Sequence, residues 1–362
     1  MYAARLAAAL RERTGAKIFG MGGQRMADAG VEILVDYHKV AVVGIAEVLH
    51  KIPTVIGVQE RLAREAVERK AALAILVDSP GTHLGVARRL KRAGIPVAYF
   101  IGPQIWAWRP GRVRTVKRLV QRMVVIFPFE ENFYREAGVP VNFVGHPLVD
   151  VVRPTQSRAQ FAAQNGLDLA RPIVALLPGS RRSEVARNFP TMLDACARLA
   201  QKNQAGREIQ FVHAAAPNLS ADFWSVYVRP GLNVKRIEGA TYDVLHAADC
   251  AIVASGTATV EAALLGTPMV IVYRVARITA AVLRWMLHTP VIGMVNLIAG
   301  TRVAPELVQD AFTPEAVERE VARLLESPAA REAMKADLAN VRAKLGPGGA
   351  IERAADIFAA ML

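Results

Sequence analysis

The run Val253-Ala254-Ser255-Gly256-Thr257-Ala258-Thr259-Val260-Glu261 carries residue types that hold an anion and a diol side by side. The apolar segment that leads into it, Cys250 to Ala254, reads as a buried parallel strand. It breaks into Ser-Gly-Thr and then into good helix formers. A strand feeding a small-residue turn and a helix start offers free N–H groups and hydroxyls where the helix dipole is positive, which suits a phosphate. Glu261 follows Thr257 by four positions and shares its helix face. At about 1.5 Å per residue its carboxylate stands roughly 6 Å along the axis from a bound phosphate, the reach of a ribose diol. Phosphate plus diol means a nucleotide. An ordinary strand–turn–helix with a Ser/Thr cap is the competing reading.

A second such loop, Leu177-Pro178-Gly179-Ser180-Arg181-Arg182-Ser183-Glu184, follows the apolar run Pro172–Leu177. Its small residues free the backbone beside a helix start, and an arginine can neutralise a diphosphate bidentately. A solvated turn is the alternative; two such loops in one half of the chain weaken it. In the first half, Leu73–Val77 ends at Asp78-Ser79-Pro80-Gly81-Thr82-His83, ahead of a helix over Leu84–Ala93. Ligands of doubly wound sheets gather at the carboxyl ends of strands, where an acid or base would sit. Asp78 as a cap and His83 as a first-turn residue are the structural alternatives. Gln104-Ile105-Trp106-Ala107-Trp108-Arg109 puts two indoles and an arginine into the loop after Val97–Ile101. That loop is either stapled down by its indoles or lines a substrate. Gly20-Met21-Gly22-Gly23 fits a plain turn better than a close approach to a ligand.

These loops need strands and helices to hold them. Further apolar strand patterns fall at Lys17–Gly20, Met123–Ile126, Val141–Val144, Ile209–His213, Val234–Ile237 and Pro268–Tyr273, with helical patterns between them. Helices are expected over Ala3–Arg13, Ile45–Leu49, Val55–Lys70, Arg112–Leu119 and Pro128–Ala137, with two or three more from Thr313 to Leu362. The pattern loosens from Asp150 to Arg171, a domain link. The expected architecture is α/β, two β/α halves around a cleft. Met1 leads straight into a helical pattern with no signal peptide visible, where a chain of this kind normally opens on a strand.

At 362 residues and 52% apolar the chain can bury two cores and is not disordered. Its net charge of +13 implies acidic partners: nucleic acid, anionic lipid or phosphorylated substrates. The basic residues are scattered and aromatics are only 6%, which argues against nucleic acid. Cys196 and Cys250 lie in core segments, which fits a reducing cytoplasm and no metal site. Ile278–Gly300 is the most apolar stretch, but Arg284, His288 and Pro290 interrupt it, so it is not a spanning helix. A surface helix dipping into lipid, flanked by Arg274, Arg277 and Arg284, and a buried helix are equal readings of it.

Together these motifs resemble the lipid-A-disaccharide synthase family, bacterial inverting glycosyltransferases of the GT-B fold. The matching pieces are Gly20–Gly23, the Gly44–Pro53 segment, Gln104–Arg109, Phe127-Pro128-Phe129-Glu130 and Gly145-His146-Pro147. Further on they are Leu177–Arg181, Ser255–Glu261, Gly266-Thr267-Pro268-Met269 and Asn296-Leu297-Ile298-Ala299-Gly300, in the family's order over nearly the whole chain. The resemblance implies two Rossmann-like domains across a cleft, over 1–150 and 151–345, with C-terminal helices packing back on the first and 346–362 as the last helix. It implies a UDP-2,3-diacylglucosamine donor and a 2,3-diacylglucosamine 1-phosphate acceptor, joined into the β-1,6-linked lipid A disaccharide phosphate with release of UDP, without metal or other cofactor.

By the same match Ser180 and Arg181 would meet the phosphates, beside Ser255, Gly256, Thr257 and Ala258, and Glu261 would take the ribose. Gln104, Trp106, Asn296 and Arg302 would serve the substrates. The implied partners are the two acylated sugars and the anionic inner-membrane surface, reached by a peripheral cytoplasmic enzyme that takes no nucleic acid, and a homodimer built through the C-terminal segment. Two departures stand out. The family's Asp-x-Pro-Asp-Phe-Asn appears as Asp78-Ser79-Pro80-Gly81-Thr82-His83, with Gly81 where a base candidate is usual, leaving Asp78 and His83 as the catalytic candidates. The family also opens with a strand and a Gly-Glu-Ala-Ser-Gly-Asp loop, and this sequence begins just after them. Another UDP-N-acetylglucosamine enzyme of the same fold and an inactive membrane-associated UDP binder are the alternatives. The Trp-Ala-Trp-Arg loop and Asn296–Gly300 argue against the former; Gly81 and the chain start keep the latter open.

Overall fold

The computed structural model describes residues 1–39, 45–78, 80–108, 110–202, 208–276 and 291–362. The chain forms two compact units, Met1–Pro147 with Leu345–Leu362, and Leu148–Lys344.

In the first unit the order is α1 (Tyr2–Thr14), β1 (Phe19–Gly22), α2 (Gln24–Asp28), β2 (Glu32–Asp36) and α3 (Ile45–Glu68). Then come β3 (Ala74–Val77), α4 (Pro80–Arg92), β4 (Val97–Phe100), α5 (Ile105–Trp108), α6 (Val113–Leu119), β5 (Arg122–Val125), α7 (Pro128–Glu136) and β6 (Val141–Phe143). Strands β3, β4, β5 and β6 make a parallel four-stranded sheet in chain order, and β1 and β2 pair in a separate parallel ribbon. Val97, Ala98, Tyr99 and Phe100 are all buried, so β4 is covered on both faces, as a parallel strand flanked by helices must be.

The sequence breaks α3 at Pro53, whereas the structure carries one helix through it. A proline inside a helix removes one backbone hydrogen bond and crowds the preceding turn, but here it does not end the helix. The Trp-Ala-Trp segment, expected as loop, is the short helix α5.

The second unit begins with α8 (Leu148–Val151) and α9 (Arg158–Gln164). It continues with β7 (Ile173–Leu177), α10 (Arg182–Lys202), β8 (Gln210–Ala215), α11 (Ala221–Ser225), β9 (Val234–Glu238), α12 (Thr241–Ala247), β10 (Cys250–Ala254), α13 (Thr257–Leu264) and β11 (Met269–Tyr273). It closes with α14 (Met294–Ala299), β12 (Glu306–Val308), α15 (Pro314–Glu326) and α16 (Pro328–Lys344). Its parallel sheet runs β12-β11-β10-β7-β8-β9, so the order reverses direction beside β7 and β10. Both strands are apolar and buried along their whole length, which sets them at the centre. A strand-order reversal of this kind opens a crevice at the carboxyl ends. The sequence had no signal for β12, a three-residue edge strand beside β11.

The chain then returns to the first unit in α17 (Ala350–Ala359), which packs against α1. Arg353 fixes that return through its guanidinium, which donates from Nε and Nη2 to the Val144 carbonyl oxygen at 3.1 and 2.6 Å. The apolar stretch from Ile278 lies largely outside the described residues, which omit 277–290; Arg277, Arg284, His288 and Pro290 fall there.

Candidate functional site

In the second unit two loops leave the carboxyl ends of neighbouring strands, β7 and β10. After β7, Gly179 adopts φ 119, and a Cβ there would come within 2.9 Å of the Glu184 Cβ, so only glycine fits. Ser180 and Arg181 are exposed at the start of α10. Glu184 accepts from the Ser180 and Arg181 N–H groups, both at 3.4 Å, and pairs with the Arg181 guanidinium at 2.6 Å. Asn218 donates to the Ser180 carbonyl oxygen at 3.0 Å. Behind the loop the buried Asn188 donates to the Pro178 carbonyl oxygen and accepts from the Arg274 N–H, both at 3.1 Å. That amide ties the loop to the end of β11.

After β10, Gly256 takes φ 147 and Thr257 opens α13, exposed. Thr259 turns inward, its hydroxyl donating to the Gly256 carbonyl oxygen at 2.8 Å, so the outer N–H groups at Thr257 and Ala258 are the ones the turn presents. The Ser255 hydroxyl donates to the Ile292 carbonyl oxygen at 3.3 Å. Glu261, half-buried, accepts from the Tyr242 hydroxyl at 3.4 Å. Burial pushes the Glu261 carboxyl above the usual carboxylate range, and the Tyr242 bond opposes that.

Asn296 sits elsewhere in character from its exposed neighbours. It is 0% exposed. Its amide donates to the Ala304 carbonyl oxygen at 2.9 Å and to Glu306 at 2.7 Å, and it accepts from the Val303 and Ala304 N–H groups, both at 2.9 Å. Glu306 also accepts from Ile292 and Gly293 N–H at 3.0 and 2.8 Å. Arg302 is exposed on the same turn.

In the first unit, β3 runs into Asp78, a non-glycine residue at φ 55. Its carbonyl oxygen accepts from the Tyr99 hydroxyl at 2.7 Å and lies 2.7 Å from His83 Nδ1. A carbonyl can only accept, so Nδ1 carries the proton and Nε2 keeps its lone pair. Burial holds the His83 imidazole below its ordinary 6.5, against the Asp78 carbonyl bond. His83 lies in the first turn of α4, which starts at Pro80 rather than Leu84. Ser79 and Arg109 lie outside the described residues.

Trp106 is half-buried and Gln104 exposed. The indole N–H donates to Glu130 at 3.2 Å, and the ring meets Phe129 edge-on at 4.8 Å. Glu130 is only 2% exposed, also accepts from the Phe127 N–H at 3.2 Å, and burial pushes its carboxyl up to about 7. Sequence reasoning left Glu130, Tyr99, Asn188, Tyr242 and Glu306 without a task. The only available signals were Glu130 three residues after Phe127 at a helix start and Glu306 beside Pro305.

Parallel sheets sandwiched by helices, with small-residue loops at strand carboxyl ends, define two Rossmann-like units of the GT-B type. The calicheamicin glycosyltransferase CalG4 shares this fold at TM-score 0.61, with 17% identity over 99% of this chain and 94% of that one. So does the UDP-GlcNAc 2-epimerase of Neisseria meningitidis, solved with UDP-GlcNAc, at TM-score 0.64, with 14% identity over 98% of this chain and 96% of that one. The family model described as lipid-A-disaccharide synthetase matches residues 1–357. The lipid-A-disaccharide synthase of Myxococcus xanthus is 46% identical over 357 residues, 98% of this chain and 92% of that protein. The chain therefore belongs to the lipid-A-disaccharide synthase family and is a glycosyltransferase of lipid A biosynthesis. Among the described residues no helix is long and apolar enough to cross a membrane, and no group of His, Cys, Asp or Glu could hold a metal ion.

Proposed function

We propose that the chain transfers 2,3-diacylglucosamine from its UDP derivative to the 6-hydroxyl of 2,3-diacylglucosamine 1-phosphate. Family membership over residues 1–357 supports the substrates. The observation that carries the site assignment is the pair of open loops at the carboxyl ends of the adjacent strands β7 and β10.

In this reading the second unit binds the donor. Ser180 and Arg181 meet the diphosphate, with Ser255, Gly256, Thr257 and Ala258 beside them, and Glu261 takes the ribose. Arginine and helix N–H groups offset the charge that develops on the departing UDP. The first unit contributes the base: His83 Nε2 takes the proton of the attacking hydroxyl while Asp78 fixes the ring through its carbonyl. The new O6–C1 bond forms as the C1–O bond breaks, and UDP leaves with the bonding electrons. Gln104 and Trp106 line the acceptor, and Arg302 meets an anionic group of a substrate. Asn296 acts from behind, since every atom of its amide is engaged within the fold.

The positive charge and the exposed Ile52 and Ile56 of α3 suit a peripheral enzyme on the anionic cytoplasmic face of the inner membrane. A homodimer through the C-terminal segment completes the reading, checked by light scattering in detergent. The decisive experiment incubates the chain with both acylated sugars and follows disaccharide and UDP by mass spectrometry. UDP bound with no disaccharide formed would overturn the transferase reading.

A further inference from the structure

Tyr242 belongs to none of the loops that the sequence singled out, yet it is the side chain that holds Glu261. It stands in the first turn of α12, which leaves β9 on the far side of the sheet from β11. Its hydroxyl donates to Glu261 Oε1 at 3.4 Å. The helix that carries it is fixed on two sides. Next to Tyr242, the buried Asp243 accepts from Thr155 N–H and hydroxyl, both at 2.7 Å, and from Gln156 N–H at 3.2 Å. On the following turn the Leu245 carbonyl oxygen accepts from the buried Thr267 hydroxyl at 2.9 Å. A phenol on so constrained a helix loses little freedom when it holds a partner. Glu261 lies on α13, and the orientation of its carboxylate decides whether it can accept from two adjacent hydroxyls at once.

We propose that Tyr242 is the positioning residue of the ribose site: its hydroxyl orients the Glu261 carboxylate so that the free oxygen faces the diol of a bound nucleoside diphosphate. This rests on the reading of Glu261 as the ribose ligand. Tyr242 acts only through Glu261, so its contribution exists only for a nucleotide that has ribose hydroxyls to offer. A residue that merely stabilised α12 would affect every nucleotide alike.

The test measures binding of UDP and of 2′,3′-dideoxy-UDP by titration calorimetry to the full chain, its Tyr242→Phe variant and its Glu261→Gln variant, with melting temperatures recorded alongside. Phenylalanine keeps the ring and removes the hydroxyl. The expected result is UDP affinity reduced about threefold to tenfold in Tyr242→Phe, the usual range for one hydrogen bond. Affinity for the dideoxy nucleotide stays at the wild-type value, and in turnover the donor KM rises while kcat holds. Equal loss for both nucleotides, or no loss for UDP, overturns the positioning role while leaving Glu261 on the ribose. If the wild type itself binds the two nucleotides equally, or Glu261→Gln leaves UDP binding untouched, the ribose assignment fails first and Tyr242 falls with it.

Discussion

Asn296 donates to Glu306 across 2.7 Å in the interior of the second unit, and the carboxylate passes that order on by accepting from Ile292 and Gly293 N–H. The Ile292 carbonyl oxygen accepts from the Ser255 hydroxyl. A buried amide ten residues from its carboxylate thus reaches the loop after β10 through Glu306 and Ile292. Asn296→Ala would leave the Val303 and Ala304 N–H groups without their acceptor, and a stranded buried donor costs about 1–3 kcal/mol. The expected outcome in urea is a stability loss on the order of 3 kcal/mol, with a raised donor KM. An unchanged urea midpoint would remove Asn296 from this role.

Arg181 should separate stability from chemistry. Its ion pair with Glu184 is exposed on the arginine side, and such pairs contribute about 0–1 kcal/mol. Arg181→Ala is therefore expected to melt close to the wild type while turnover falls about a hundredfold, the scale of losing one donor to developing charge. Arg181→Lys should recover only part of that, because an ammonium cannot contact a diphosphate bidentately. Near-normal turnover in the alanine variant would take Arg181 off the diphosphate.

What the sequence revealed and what it hid follow from where the partners lie along the chain. The loops after β7 and β10 were legible because an apolar buried strand, a glycine and a helix start are adjacent in sequence. Gly179 also shows its reason locally, since a Cβ would meet Glu184 five residues on. Tyr99 was hidden because a tyrosine in a buried strand looks like packing, and its task depends on the Asp78 carbonyl 21 residues away. Tyr242 and Glu261 are likewise joined only once α12 and α13 pack beside each other. The break expected at Pro53 failed because a local rule about one hydrogen bond says nothing about what else holds the helix.

The role of His83 makes a pH prediction whose sign is fixed. A base must be neutral to act, and burial holds the His83 imidazole below 6.5, so kcat/KM should rise with pH and level off with a midpoint under that value. His83→Ala should lose the acidic limb together with about 10²–10⁴-fold in kcat. An acidic limb that survives in the variant would assign the base to another group. The linkage to stability runs the same way. A folded-state value below the unfolded one means that stability is present above 6.5 and is lost as pH falls through it.

Glu130 makes the opposite pH prediction. Burial pushes its carboxyl up to about 7 from an ordinary 4.5, so the folded chain binds a proton in that window that the unfolded chain has released. Its contribution to stability is therefore fully present below 4.5 and declines as pH rises to about 7, with a slope of at most about 1.4 kcal/mol per pH unit. Because Glu130 accepts from the Trp106 indole, the same titration should appear in tryptophan fluorescence with a midpoint near 7 and vanish in Trp106→Phe. Glu130→Gln keeps an acceptor for the indole and has no charge to release, so it should flatten the stability profile between those two pH values. A profile in Glu130→Gln as steep as that of the wild type would show that another group carries the titration.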